Sequence, residues 1–382
     1  MNYPDKRNLY FRLYFGGMSN VRMSLDIGIA LAHLTGRTLV PYNVRQLDLG
    51  HSRLLSAGSD FRYYSKIFDL MDIPVNVDNR LFFTDRTSEI DAHLLYEGSF
   101  VHSVFYYPNS LGLKSPWVRD FVNGRDDGKV FTLDKQASQA EALCVGGRTL
   151  AMYSYFLCLK PVLHKTVNKL LAGVDAKQPY RELAARISEK LGAFNALHIR
   201  RGDFVAKKFT PRSAQVTADE IIRNTADILD RNDTLLICTD DPNDEAFFEP
   251  FRKHYRKLVF IDRLLVEDRE YADKLRELPF HDNAVVALMS QLIASHAVNF
   301  VGTLFSTFTA LVQRRRGLLF GDQRFLYAYN DFGDRVSYSG CVFHEVKEGR
   351  YSWNRLALPL APEHLSWCRE WPEVFDGVTP GG

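Results

Sequence analysis

The chain has 382 residues, with 48 lysines and arginines against 46 aspartates and glutamates, so its formal net charge is +2. Hydrophobic residues make up 46% of it and charged residues 25%, which is typical of folded proteins and excludes extensive disorder. The balanced charge also excludes a polybasic nucleic-acid binder, because neutralising a polyanion requires a basic excess. A local basic pocket for one small anionic ligand remains compatible with these values.

No apolar stretch reaches the roughly 20 residues that a membrane span requires, and the first residues lack the pattern of a signal peptide. The five cysteines are widely spaced and form no CxxC pair. This spacing indicates reduced, mostly buried thiols rather than a disulfide framework or a zinc ribbon. For a complete chain, we therefore expect a soluble, cytoplasmic protein.

The first 42 residues predict a strand, a helix and a second strand. The apolar segment 9–15 is a strand candidate, and a helix that Ser19 or Asn20 can cap follows it. The second strand candidate covers 38–40 and stops at Pro41. This arrangement has the length of a βαβ unit.

Gly16 and Gly17, between the first strand and the helix, allow two interpretations. Adjacent glycines let the backbone approach a ligand closely, and the free N–H groups of a helix start attract anions. The alternative is an ordinary tight turn before a helix. The chain lacks the GxGxxG spacing of dinucleotide sites and the GxxxxGK[ST] spacing of nucleotide triphosphatases.

From residue 46 to 145 the pattern is irregular, which we interpret as insertions on the first domain. From about residue 180, short apolar strands alternate with helices, and this predicts a parallel, doubly wound sheet. The predicted strands cover 194–199, 234–238, 257–261 and 298–301, and the predicted helices cover 181–191, 217–229, 243–255, 283–295 and a segment from Ser306. We expect an α/β protein with domains over 1–170 and 175–330, followed by an irregular tail over 331–382.

The motif HIRRGD (198–203) ends the first strand of the second domain. In doubly wound sheets, ligands bind beyond the carboxyl ends of the strands. Guanidinium groups match phosphate oxygens and keep their charge at any physiological pH. Because side chains alternate, we expect Arg200 to face a phosphate. Arg201 either does the same or pairs with Asp203 to brace the loop.

Asp240 and Asp241 follow the next strand. Their carboxylates can accept hydrogen bonds from ribose hydroxyls or from a base edge. One alternative is a divalent metal bound by both. Another is capping of the following helix, which is the role we expect for Asp244.

Gly302 and Thr303 follow the last predicted strand, and a helix starts at Ser306 and Thr307. Hydroxyls together with the free N–H groups of a helix start form an anion site that needs no net charge. The alternative is a plain serine or threonine N-cap.

The run Arg314 to Arg316 indicates a charged helix end rather than a site. The chain also lacks the GxSxG, HExxH and kinase-loop motifs, which counts against common hydrolases, zinc proteases and protein kinases.

Three segments together resemble the GDP-fucose-dependent fucosyltransferases, especially the protein O-fucosyltransferases. They are the glycine-rich start over 15–42, HIRRGDF over 198–204 and FVGTLFSTF over 300–308. The resemblance implies a GT-B fold, in which two facing Rossmann-type domains hold a nucleotide sugar in a cleft. It further implies an inverting transfer of L-fucose from GDP-fucose to a protein or glycan hydroxyl, with protein Ser/Thr first, and no metal or other cofactor.

The resemblance also assigns roles to individual residues. Arg200 would neutralise the charge that grows on the leaving β-phosphate, and Asn20 would face the reacting sugar. His198 would lie near the nucleotide. Together with the residues argued above, the expected substrate-binding set also contains Gly16, Gly17, Asp240, Asp241, Ser290, Thr303, Ser306, Thr307 and Phe308.

Three positions depart from the family pattern. Ser290 stands where many members carry an acidic residue that contacts the base, which leaves guanine selectivity open. Val21 replaces a glutamine, and Gly17 falls near a glutamate proposed as the base in one branch, so no general base is evident. The alternatives are a same-fold transferase with another nucleotide sugar, a glycan acceptor as in α-1,6-fucosyltransferases, and a catalytically silent nucleotide-binding protein.

Overall fold

The computed structural model describes residues 7–12, 18–42, 64–78, 105–106, 142–145, 158–159, 163–202, 216–279, 283–303, 306–320, 326–329, 335–339 and 342–345. These residues fall into two compact units, one on the N-terminal side of Lys177 and one that begins at Gln178. In these ranges no helix is both long and apolar enough to cross a membrane.

The first unit contains a small parallel sheet. Its strands, in spatial order, are β2 (Thr38–Tyr42), β1 (Asn8–Arg12) and β5 (Ala142–Val145), and helix α1 (Met18–Thr35) connects β1 to β2. The shorter elements are α2 (Tyr64–Leu70), β3 (Met71–Asp72), β4 (Phe105–Tyr106), β6 (Cys158–Leu159), α3 (His164–Ala172) and β7 (Asp175–Ala176).

The predicted strand, helix and strand are confirmed here, with two differences. Helix α1 begins at Met18, so Ser19 and Asn20 lie inside its first turn and not at the cap position. Strand β2 continues through Pro41 to Tyr42. A strand at the edge of its sheet tolerates a proline, because a missing N–H there costs no ladder bond. Residues 13–17, which include the end of the predicted first strand together with Gly16 and Gly17, lie outside the described residues.

The second unit contains a seven-stranded sheet in the order β10-β9-β8-β11-β12-β13-β14. Its strands are β8 (Phe194–Ile199), β9 (Thr234–Thr239), β10 (Lys257–Phe260), β11 (Phe300–Thr303), β12 (Leu326–Tyr329), β13 (Arg335–Ser339) and β14 (Val342–Glu345). The first five strands of this order are parallel, and the last two pairs are antiparallel. The predicted parallel α/β architecture is therefore confirmed for this part of the chain.

Helices flank this sheet. They are α4 (Gln178–Leu191), α5 (Ala218–Thr225), α6 (Glu245–His254), α7 (Ile261–Glu267), α8 (Arg269–Glu277), α9 (Asn283–Ser295) and α10 (Thr307–Phe320). Every side chain of β8 is buried, as expected for a central strand covered on both faces. One core cluster joins this strand to α6 through Leu197, Phe248 and Phe251. Burial of each such side chain contributes about 1.5–3 kcal/mol.

Two stretches differ from the sequence expectation. The segment 262–282 carries no predicted element, yet most of α7 and all of α8 lie there. The tail expected to be irregular from residue 331 contains β13 and β14. The short lengths of these elements explain the difference, because they carry few turns or alternations of hydrophobic pattern.

The arginine run over 314–316 does not form an exposed helix end, because α10 continues to Phe320. Arg316 is 2% exposed, and its guanidinium donates to the carbonyls of Ser295, Ala297 and Val298. It thereby binds carbonyl groups at the C-terminal end of α9, a position that favours a cation.

Candidate active site

The parallel strands β8, β9 and β11 end at the same edge of the second sheet. The register pairs His198 with Cys238 and Ile199 with Thr239, while β11 pairs with β8 through Val301 and Leu197. The residues that directly follow β9 and β11 therefore lie on either side of those that follow β8, as the sequence predicts for one shared edge of the sheet.

Thr303 connects the ends of two strands. Its hydroxyl donates to the carbonyl of His198, with an O···O distance of 3.0 Å, and accepts the N–H of Arg200 at 2.9 Å. Its side chain is buried. The Thr303 hydroxyl thus fixes the backbone at the point where Arg200 leaves the strand.

Asp240 holds both arginines of the HIRRGD motif. Its Oδ2 lies 3.0 Å from Nη1 of Arg200, and the two side chains are only 8% and 12% exposed. Its Oδ1 accepts the N–H of Arg201 at 2.8 Å. A Cβ atom at Gly202 would lie 2.6 Å from Oδ2, so this carboxylate position requires a glycine there.

Arg201 braces the loop against the start of α6. Its guanidinium donates to Oδ2 of Asp244 at 2.6 Å and lies 3.8 Å above the centroid of the Phe247 ring. Asp244 also caps α6, because its Oδ1 accepts the N–H of Phe247 at 3.1 Å. The predicted capping role of Asp244 is confirmed, and Asp203, the other expected partner of Arg201, lies outside the described residues.

Asp241 lies next to these carboxylates, and its N–H donates to the Thr239 hydroxyl at 3.2 Å. Burial and the charges of Asp244 and Asp240 raise the pKa of Asp241, while the charge of Arg201 opposes this shift. Over the described ranges, no three His, Cys, Asp or Glu side chains converge to form a metal site.

His198 is buried beneath the edge. Its Nδ1 lies 2.9 Å from the hydroxyl of Thr309, and its ring stacks on Phe308 with centroids 4.4 Å apart. Burial, followed by the nearby charge of Arg200, lowers the pKa of His198 to about 3. The imidazole is therefore neutral near pH 7. It is then a weak base, and it lacks the second ring proton that an imidazolium donates as a general acid.

Helix α10 starts close to the end of β11. A Cβ atom at Gly302 would lie 2.3 Å from the Thr309 side chain, so the helix packs directly against the strand backbone. The buried Ser306 precedes the helix; its N–H donates to the carbonyl of Thr303 at 3.3 Å. Thr307 and Phe308 are partly buried in the first turn of α10.

Ser290 lies in α9 and contacts Asp262, a carboxylate outside the expected substrate-binding set. Its Oγ lies 3.1 Å from Oδ1 of Asp262 and 2.8 Å from the carbonyl of Val286. Both Ser290 and Asp262 are buried. Asp262 follows β10 by two positions, so the rule that ligands bind beyond the carboxyl ends of the strands, which singled out Asp240, could have found it too.

Asn20 lies apart from these residues in sequence. It belongs to the first unit, where it is partly buried in α1.

The second unit thus belongs to the class of parallel α/β structures whose strand ends carry polar and charged groups. Residues 144–319 match the family model of the GDP-fucose protein O-fucosyltransferases. The chain is 25% identical over 158 residues to GDP-fucose protein O-fucosyltransferase 2 of Pan troglodytes. That match covers 41% of this chain and spans about a third (33%) of the relative's length. These two findings confirm the resemblance to the GDP-fucose-dependent fucosyltransferases, near the protein O-fucosyltransferases.

Two solved structures are also similar to the chain. NodZ alpha-1,6-fucosyltransferase, soaked with GDP-fucose, is 14% identical with a TM-score of 0.48, over 88% of this chain and 99% of that one. A mutant of FUT1 of Arabidopsis thaliana, in complex with GDP, is 15% identical with a TM-score of 0.42, over 86% and 71%.

Proposed function

We propose that this protein is an inverting fucosyltransferase that moves L-fucose from GDP-fucose to an acceptor hydroxyl. The observation that carries the proposal is the family match over 144–319, because this segment contains His198, Arg200, Asp240 and Thr303. The guanidinium of Arg200, the hydroxyl of Thr303 and the helix start at Thr307 have the chemistry that a diphosphate leaving group needs. The GT-B arrangement implied by the resemblance is part of this proposal.

Arg200 would act on the leaving group. When the bond from C1 of fucose to the β-phosphate oxygen breaks, negative charge grows on GDP, and a guanidinium fixed beside that oxygen stabilises the transition state. The contacts of Arg200 with Asp240 and Thr303 fix it in advance. Little reorganisation is then needed during the reaction.

The start of α10 would bind the diphosphate. Ser306 and Thr307 offer hydroxyls there, and the first N–H groups of the helix add a partial positive charge. Phe308 and His198 form a stacked pair that would pack against the nucleotide. Because these groups supply the positive charge, we propose that turnover needs no divalent metal.

The proton of the acceptor hydroxyl has two possible routes in this proposal. Either a water held by Asn20 relays it, or the departing diphosphate accepts it. His198 is unsuited to the task, because its pKa of about 3 makes it a weak base.

A protein serine or threonine is the proposed acceptor, because both the family model and the curated relative are named as protein O-fucosyltransferases. A glycan hydroxyl is the alternative. The two are separated by supplying folded protein domains and oligosaccharides as competing acceptors in one assay.

The test combines binding and turnover. Calorimetry should show GDP and GDP-fucose binding, and GDP should be released from GDP-fucose in EDTA when an acceptor is present. Failure of both nucleotides to bind would contradict the proposal. Binding without transfer or hydrolysis would instead favour a silent nucleotide-binding protein, and a thermal-shift series with UDP- and ADP-sugars would reveal a different donor.

A further inference from the structure

Thr309 contacts both strand β11 and the imidazole of His198. It lies in the first turn of α10, is 0% exposed, and its Oγ1 lies 2.9 Å from Nδ1 of His198. The same side chain packs on Gly302, where an added Cβ atom would lie 2.3 Å from both its methyl carbon and its hydroxyl oxygen. Because a β-branched side chain in a helix has few rotamers, this packing restricts the position of the Thr309 hydroxyl.

Residues 303–309 hold His198 at three points. The Thr303 hydroxyl donates to its carbonyl at 3.0 Å, Phe308 stacks on its ring with the two planes 21° apart, and Thr309 contacts its Nδ1. A turn of about 180° around the Cβ–Cγ bond would keep the ring plane, and with it the stacking, but would exchange Nδ1 with a carbon. Of the three contacts, the one with Thr309 therefore decides between the two ring orientations.

The same contact bears on which ring nitrogen carries the proton. Burial and then the charge of Arg200 lower the pKa of His198 to about 3, so the imidazole is neutral at pH 7. A neutral imidazole has one N–H and one bare nitrogen, and the hydrogen bond at either nitrogen selects the tautomer. A hydroxyl that donates to Nδ1 leaves the proton on Nε2.

We propose that Thr309 is a positioning residue of the nucleotide site: its hydroxyl donates to Nδ1 of His198 and holds the imidazole in one orientation, with Nε2–H as a neutral donor for a ligand oxygen. The inference rests on the proposed function, because it needs a nucleotide beside His198. Ionised phosphate oxygens only accept hydrogen bonds, so the other tautomer would turn a lone pair toward them. Since Thr309 is buried, it acts through His198 rather than on the ligand itself.

The tautomer is measured on the wild-type protein. In the full chain labelled with ¹⁵N-histidine, the His198 signals are those that His198→Phe removes, and the shifts of the ring nitrogens distinguish a protonated from a bare nitrogen. We expect the proton on Nε2 at pH 7, without ligand and with GDP. A proton on Nδ1, or a ring that exchanges between the two tautomers, would overturn the inference.

Two substitutions separate the hydroxyl of Thr309 from its packing. Thr309→Val keeps the branched shape but leaves Nδ1 of His198 without its donor, and we expect GDP to bind roughly 10-fold more weakly. Thr309→Ser keeps the hydroxyl and loses the methyl group that packs on Gly302. Its melting temperature should fall while its GDP affinity stays close to the wild-type value. An equal loss of GDP affinity in the two variants would show that Thr309 contributes packing alone.

Thr225→Val is the matched control. Thr225 is also a helix threonine that is 0% exposed, and its hydroxyl donates to the carbonyl of Ile221 at 2.7 Å. Its substitution should lower the melting temperature but keep the wild-type GDP affinity. If Thr225→Val weakens GDP binding as much as Thr309→Val does, the loss reflects a general decrease in stability, and the positioning role is refuted.

A double-mutant cycle tests whether Thr309 acts through His198. His198→Phe keeps a ring for stacking but has no nitrogen, so in this background Thr309→Val should change GDP affinity by less than about 2-fold. A further loss of roughly 10-fold would mean that Thr309 acts independently of His198, against the inference. Failure of the wild type to bind GDP would instead refute the proposed function, while the ¹⁵N measurement without ligand would still decide whether Thr309 fixes the tautomer.

Discussion

Arg200 is fixed by contacts with two different neighbouring strands. Its N–H binds the Thr303 hydroxyl at the end of β11, and its guanidinium lies 3.0 Å from Asp240 after β9. Both contacts come from residues that directly follow or end a parallel strand. That is why the sequence identifies His198, Arg200, Asp240 and Thr303 as neighbours, since one topological rule brings all strand ends together.

Replacing Arg200 should affect turnover more than folding. Arg200→Lys keeps a positive charge beside Asp240 but loses the guanidinium fork, so we expect kcat for GDP release to fall at least about 100-fold. GDP affinity should fall less, because the charge matters most in the transition state. Arg223→Lys, on the exposed face of α5, is the matched control. Wild-type kcat in Arg200→Lys would contradict the role.

Gly302 is required by close packing and not by its backbone angles. In Gly302→Ala the new methyl group would lie 2.3 Å from the Thr309 side chain, which also holds His198. We expect the free energy of unfolding to fall by about 1–3 kcal/mol, as for other overpacked sites. Urea unfolding measures this, and an unchanged midpoint would mean that α10 lies farther from β11.

At the scale of elements, the hydrophobic pattern predicts helices and strands that are long or whose apolar and polar residues follow a clear period. Strand β8 and helix α9 have the predicted bounds, and the predicted capping box of Thr217 and Glu220 is present. Helix α7 has seven residues, too few for a clear helical period, so the hydrophobic pattern does not predict it. The contact between Asp262 and Ser290 is missed for the same reason, because it depends on how α7 packs against α9.

The capping box gives a local test of stability. Thr217→Ala removes the hydroxyl that accepts the Glu220 N–H at 3.3 Å. We expect a loss of about 1 kcal/mol in the free energy of unfolding. GDP affinity, measured by calorimetry, should stay at the wild-type value, because the cap lies outside the proposed nucleotide site. A large loss of GDP affinity would show that α5 contributes to that site.

Arg316 should contribute more to the stability of the fold than an exposed arginine at a helix end does. Arg316→Met keeps much of the apolar volume but leaves three carbonyls near the end of α9 without their charged donor. We expect a loss of about 3 kcal/mol in the free energy of unfolding. Arg186→Met, 67% exposed on α4, should change it by less than about 0.5 kcal/mol. Equal effects of the two substitutions would contradict the capping role.

For the whole molecule, buried His198 links folding to pH. Its pKa is about 3 in the folded protein, against 6.5 for the free side chain. At a pH between these two values, the unfolded chain therefore binds a proton at His198 that the folded protein does not bind. The stabilising contribution is complete above pH 6.5 and decreases as the pH falls toward 3.

The wild type should thus lose up to about 1.4 kcal/mol of unfolding free energy per pH unit below pH 6 from this group. Urea unfolding at pH 7, 6 and 5 measures the slope, and His198→Gln should reduce it. An identical slope in the variant would show that other groups cause the loss.

The contact between Arg200 and Asp240 also bears on which anions can reach this edge. A monoanion such as chloride or acetate offers the guanidinium no more charge than Asp240 already supplies at 3.0 Å. A diphosphate brings several charges and can engage the start of α10 at the same time. In the proposed function, the Asp240 carboxylate would therefore compete with weakly charged anions for Arg200, and this edge would favour anions that carry several charges.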